Sequence, residues 1–96
     1  MISPTKAMAA DYAPFSIRVI AICPAGVWTP TLERWCAEQT HPSEMREYLD
    51  DIHLLGPCPR GDVVADVAVF LLSHRVRFMT GCIVPISGGA ELGYRR

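Results

Sequence analysis

Ile17-Arg18-Val19-Ile20-Ala21-Ile22-Cys23, running into Pro24-Ala25-Gly26, is the stretch on which the fold turns. The first seven residues are rich in β-branched side chains and nearly continuous in hydrophobicity. Such a run reads as a strand covered on both faces, the usual state of a strand in a parallel α/β sheet. Pro24-Ala25-Gly26 stops it. A second short strand follows far downstream, where Thr80-Gly81 leads into Cys82-Ile83-Val84-Pro85-Ile86 and Gly88-Gly89 ends it. Two strands separated by a long helical crossover predict a parallel pair with a right-handed connection. A parallel pair does not stand alone, because it needs helices on both faces and neighbours at its edges. The run at 17–23 is also too apolar for a free edge. The expected class is α/β, with the sheet incomplete in this chain.

The segments around the strands read as helices. Ser3 and Pro4 offer a cap and a first turn for a helix through Ala7, Met8, Ala10 and Asp11, which Pro14 ends. Thr29-Pro30 is a cap and first position for a short helix through Leu32 and Trp35. Pro42, Ser43, Glu44 and Glu47 start another, with acidic residues near its positive end. Its Met45, Tyr48, Leu49 and Ile52 share one apolar stripe. Gly56-Pro57-Cys58-Pro59 is a stiff connector. Asp62 is expected to cap an apolar helix carrying Val64, Val67, Ala68 and Leu71, which ends near Ser73-His74. The chain closes on Tyr94-Arg95-Arg96.

Composition excludes several function classes. Of 96 residues, half are hydrophobic and 20% charged, so the chain is built to bury surface. Nine Lys+Arg against ten Asp+Glu give a net charge of −1, which lacks the basic face of a nucleic-acid binder. No apolar run approaches the roughly 20 residues of a membrane span. Met1-Ile2-Ser3-Pro4 has no basic-then-apolar secretion signal. A cytoplasmic protein without nucleic-acid or membrane partners is the expectation. Cys23, Cys36, Cys58 and Cys82 have no zinc-knuckle or redox spacing, and His41, His53 and His74 form no ligand pair. Buried free thiols and no metal are expected.

Taken in order, these residues resemble the C-terminal half of the short-chain dehydrogenases/reductases. The resemblance rests on Thr5-Lys6-Ala7-Met8-Ala9-Ala10-Asp11-Tyr12-Ala13-Pro14, Ile17-Arg18-Val19 and the loop Pro24 to Pro30. Phe70-Leu71-Leu72-Ser73, Thr80-Gly81 and Gly88-Gly89 follow at the right separations. It implies a Rossmann-type doubly wound parallel sheet, of which residues 1–96 are the C-terminal half. The runs 17–23 and 82–86 would then be the last two strands. It also implies an NAD(P)-dependent oxidoreductase that interconverts alcohols and carbonyls by hydride transfer, with a small-molecule substrate and a full-length form that is a homo-oligomer. The family's Gly-rich phosphate turn and its Ser and Tyr-x-x-x-Lys groups, which supply the general acid/base, have no counterpart here. Lys6 has Ile2, not a tyrosine, four residues before it. The resemblance places the missing catalytic Lys just upstream of Met1, so no catalytic residue is assigned in this chain.

The same resemblance assigns Pro24, Ala25, Gly26, Val27 and Thr29 to the loop beside the nicotinamide. Backbone near Val27 and the Thr29 hydroxyl would hold the carboxamide of NAD or NADP. Helices between Thr31 and Leu55 would form the substrate lid, with Trp28 and Trp35 as substrate-contacting candidates. Each assignment has a plainer reading beside it. Thr29 also serves as a helix cap, Pro24 to Gly26 as a simple turn, and the two tryptophans as core cover. Departures from the family pattern are Ala25 for a glycine, Ile20 for an asparagine, Pro57 and Pro59 for Arg and Gly, and Ser87 for an acid. Ala25 would be strained if its position required positive φ.

Three functions follow as alternatives. The chain is part of such an oxidoreductase and inactive by itself, or a non-catalytic interaction module that joins a full-length relative, or a truncation without function. Neither the substrate nor the choice between NAD and NADP is legible, because the lid is variable and the discriminating residues lie outside the chain.

Overall fold

The computed structural model describes residues 2–92, and the side chains of residues 4–92. The elements in order are α1 (Ile2–Tyr12), β1 (Ala21–Pro24), α2 (Pro30–Ala37), α3 (Pro42–Asp51), α4 (Gly61–Leu72) and β2 (Ile83–Ile86). Single turns of 3₁₀ helix lie at Ala13–Phe15, His74–Val76 and Ala90–Leu92. The chain divides into two compact units. One is built from the segment up to Cys23 and Ala65–Pro85, the other from Pro24–Val64 and the segment from Ile86. No helix among the described residues is long and apolar enough to cross a membrane.

The first unit holds the strand pair. Gly81 N–H donates to Val19 O at 2.8 Å, and Ala21 N–H donates to Cys82 O at 3.0 Å. Both residue numbers rise together along the ladder, so the strands are parallel. The upstream strand is shorter than the apolar run predicts. It begins at Ala21 because Val19 N–H goes to the Thr80 hydroxyl at 3.1 Å instead of to a backbone carbonyl. Residues 21–23 are half-buried. Burial on both faces was the expectation, and only one neighbouring strand is present among the described residues.

Arg18 has a defined task in this unit. Its guanidinium donates to Leu71 O at 3.0 Å and to Ser73 O at 3.5 Å, satisfying carbonyls that the end of α4 leaves open. Ala9, Leu71 and Val76 are buried, while Leu72 and Phe78 are 82% and 101% exposed. α1 ends at Tyr12, just ahead of Pro14. Pro14 sits inside the Ala13–Phe15 turn, and the reversal falls to Ser16 at φ 61°. Ser3 lies within α1 and so is not the residue preceding it; its side chain is outside the described residues, as is the tail 93–96.

The second unit packs α2 and α3 over a small core of Trp28, Cys36 and Cys58, joined by Leu32, Met45 and Leu49. Met45 and Leu49 of the predicted stripe reach this core, whereas Tyr48 is 49% exposed. Thr29 caps α2 as expected: its hydroxyl oxygen accepts from Leu32 N–H at 3.1 Å. Asp62 is not the cap of α4, since the helix already includes Gly61 and places Asp62 in its first turn, where its charge still faces the helix's positive end. All four cysteines are free; Cys36 and Cys58 are buried, Cys23 and Cys82 half-buried.

Candidate functional site

The loop after β1 lies wholly in the second unit, and two backbone donors anchor it. Gly26 N–H donates to His53 Nε2 at 3.1 Å. Trp28 N–H donates to Pro59 O at 2.7 Å, making a one-residue parallel bridge to Arg60. Between these anchors stands Val27, half-buried, whose N–H and C=O make no hydrogen bond within the described residues. One donor and one acceptor are therefore left open between tethered neighbours.

Pro24 closes β1, and Pro24 and Ala25 are exposed. Ala25 carries no strain, because Ser16 is the one non-glycine with positive φ among the described residues. Gly26 does not have a positive φ either. It is needed for space: a Cβ there would lie 3.0 Å from His53 Cε1 and 3.1 Å from Cys58 Sγ. The Thr29 hydroxyl, having accepted from Leu32, keeps its own hydrogen to donate.

Trp28 is 6% exposed, filling the core, and the Arg46 guanidinium lies 4.2 Å from its ring centroid. Trp28 packs in the core with Cys36 and Cys58. Trp35 is 45% exposed on α2, with an indole free to meet something else. Arg60 pairs with Glu33 of α2 at 3.1 Å in a solvent-exposed contact worth little by itself.

His53 escaped the sequence reading. It is 5% exposed, and its Nδ1 is buried without a hydrogen-bond partner among the described residues. The available signal was a histidine inside the apolar run Ile52-His53-Leu54-Leu55, where a polar side chain needs a reason. Gly88, at φ 59°, backs onto it; a Cβ there would come within 3.3 Å of His53 Cβ. Leu55 N–H donates to Gly88 O at 3.0 Å, tying the 53–58 segment to the terminal turn.

Two side chains show shifted titration. Burial pushes the Cys58 thiol above its ordinary 9.0, and the nearby Asp50 carboxylate adds to the rise while accepting Cys58 N–H at 2.9 Å. A thiol so placed is not a nucleophile at neutral pH. The Ser87 hydroxyl donates to Glu91, holding that carboxyl below its usual range. No group of three His, Cys, Asp or Glu side chains converges as a metal site among the described residues. Nothing in the loop is placed to move a proton at a reacting atom; the arrangement presents hydrogen-bonding groups and orients them.

The two lone pairs of a primary carboxamide oxygen suit the Val27 N–H and the Thr29 hydroxyl hydrogen as donors, and one of its amide hydrogens suits Val27 C=O. The residues present therefore fit the nicotinamide end of a dinucleotide.

Comparison with known proteins identifies the relatives of this chain. The profile of a family described as "Enoyl-(Acyl carrier protein) reductase" matches residues 1–91. The chain is 38% identical over 92 residues to the L-fucose dehydrogenase of Bos taurus, covering 96% of this chain and 34% of that protein. It is 32% identical over 93 residues to the levodione reductase of Leifsonia aquatica, covering 94% and 34%. The crystal structure of a short chain dehydrogenase family protein from Francisella tularensis subsp. tularensis SCHU S4 superposes with a TM-score of 0.87 at 28% identity, over 95% of this chain and 40% of that one. The structure of levodione reductase gives 0.82 at 27% identity, over 97% and 37%. The chain spans about a third of the length of the curated relatives it matches. With its parallel strand pair and its helices matching part of a Rossmann-type sheet, the chain belongs to the short-chain dehydrogenase/reductase family.

Proposed function

We propose that residues 24–29 form the nicotinamide-side wall of an NAD(P)-dependent oxidoreductase that interconverts a small alcohol and its carbonyl. The observation that carries this reading is the Val27 N–H and C=O, unpaired among the described residues and held between the tethered Gly26 and Trp28. When bound, the dinucleotide supplies the hydride exchanged with the substrate carbon. The Val27 backbone and the Thr29 hydroxyl grip the carboxamide and fix which face of the ring is presented. The α2–α3 lid, with exposed Trp35, contributes apolar cover over the substrate. Pro24 and Ala25 shape the entrance. The relatives named for L-fucose and levodione make a secondary alcohol or ketone on a small ring the substrate class to try first.

The 96 residues contain no Tyr-x-x-x-Lys pair and no Gly-rich phosphate turn, so the chain orients without supplying acid/base chemistry and is inactive by itself. The test joins the chain to the upstream two thirds of levodione reductase. NAD(P)H-dependent ketone reduction by the joined protein, and none by the 96-residue chain, is the expected pair of results. A folded joined protein without turnover would overturn the reading. A second reading, a non-catalytic module that docks on a full-length relative, draws support from Val69, Phe70 and Leu72 of α4, 69%, 52% and 82% exposed. Co-purification of the chain with an intact relative, without gain of turnover, distinguishes it.

A further inference from the structure

His53 is the one described side chain with a buried N or O atom lacking a hydrogen-bond partner, and it touches the loop at its tightest point. Its Nε2 accepts the Gly26 N–H, so that nitrogen carries a lone pair and the proton of the neutral ring sits on Nδ1. The ring is wedged between Gly26 on one side and Gly88 on another, leaving no space for a Cβ at Gly26. Leu55 N–H to Gly88 O and Trp28 N–H to Pro59 O lock the segments on either side of it.

A buried imidazole with an unsatisfied Nδ1 is a costly way to fill space. Leucine or phenylalanine would fill the same volume without leaving a polar atom stranded. What the histidine adds is an acceptor for a loop N–H that has no other partner among the described residues. That N–H belongs to the residue immediately before Val27, whose peptide groups the proposed cofactor contact uses.

We propose that His53 is a positioning residue: its neutral, Nδ1-protonated imidazole latches Gly26 and thereby sets the orientation of the Val27 peptide groups toward a nicotinamide carboxamide. The latch rests on the functional reading above, and its test separates the two. The protein to use is the joined enzyme in three forms: unaltered, His53→Phe and His53→Gln. Phenylalanine keeps the ring and removes the acceptor. Glutamine gives up the ring and places an amide oxygen near the Nε2 position.

Loss of the latch in His53→Phe raises the KM for NAD(P)H about tenfold, equivalent to about 1.4 kcal/mol. In the same variant kcat changes by less than about twofold, and His53→Gln restores KM to within about threefold of the unaltered enzyme. A space-filling role gives the opposite order, with phenylalanine tolerated and glutamine impaired, and would overturn the proposal. Equal impairment of both variants also overturns it. If the unaltered joined enzyme does not turn over, the functional reading fails, and the latch is judged by ¹⁵N NMR of the same protein. A coupling across the hydrogen bond between the Gly26 amide nitrogen and an unprotonated His53 Nε2 supports the latch; a proton on Nε2 refutes it.

Discussion

A Cβ placed on Gly26 would stand 3.0 Å from Cε1 of His53, so the glycine of this loop is required by a neighbour and not by its own backbone angles. The two glycine-like positions of the loop therefore respond differently. Gly26→Ala forces the His53 ring or Cys58 to move and costs the joined enzyme about 1–3 kcal/mol, the usual range for overpacking. Ala25→Gly relieves no strain and lowers stability by about 0.4–1 kcal/mol through the freer unfolded chain. Urea midpoints at unchanged slope measure both; a stabilised Ala25→Gly would mean that Ala25 is strained after all.

Trp28 sits at the centre of its unit's core, under Arg46. Trp28→Ala removes the largest buried side chain there and costs about 3–5 kcal/mol. Arg46→Ala loses only the contact over the ring, about 0.5–1 kcal/mol at this exposed site. Thermal unfolding of the two variants checks the ranking, and a loss below about 1 kcal/mol for Trp28→Ala contradicts its place in the core.

Thr29 combines a cap with a proposed cofactor contact, and one substitution separates them. Asp is as good a cap as Thr but has no hydrogen to donate. Thr29→Asp keeps stability within about 0.5 kcal/mol, whereas Thr29→Ala loses about 1 kcal/mol with the cap. Both weaken NAD(P)H binding. Equal cofactor affinity in Thr29→Asp and the unaltered protein would leave Thr29 with the cap alone.

Cys58 gives the fold an alkaline limit. Its thiol is raised by burial and by Asp50, so the folded chain keeps the proton after the unfolded chain has lost it. The stability this contributes is present below the ordinary value of 9.0 and is lost as pH rises through the folded value. The urea midpoint of the unaltered protein therefore falls more steeply above pH ~9 than that of Cys58→Ala. Parallel curves would show that the Cys58 thiol titrates alike in both states.

Local grammar was readable from the residues, and long-range encounters were not. Thr29-Pro30 announces a cap and first turn because both act within four residues, and the apolar 61–72 segment announces a helix by its own period. The parallel strand pair was legible from two β-branched runs and the helices between them. The start of β1 at Ala21 was not, because it depends on Thr80, far along the chain, taking the Val19 N–H. Asp62 looked like a cap because cap and first-turn acids occupy neighbouring positions and share the same electrostatics. At the candidate site, the loop was recognisable from Pro24 to Pro30, but His53 lies 27 residues from Gly26 and nothing local joins them. The place of Trp28 in the core was not legible either, because Cys36 and Cys58 meet its ring only in the fold.

The placement of Val27 against the nicotinamide is tested most directly by ¹⁵N NMR of the joined enzyme during titration with NAD⁺. If the placement is right, the Val27 amide shifts most within residues 24–29, saturates with the cofactor's binding curve, and is followed by Thr29. An enzyme that binds NAD⁺ while the amides of residues 24–29 stay unmoved would contradict it.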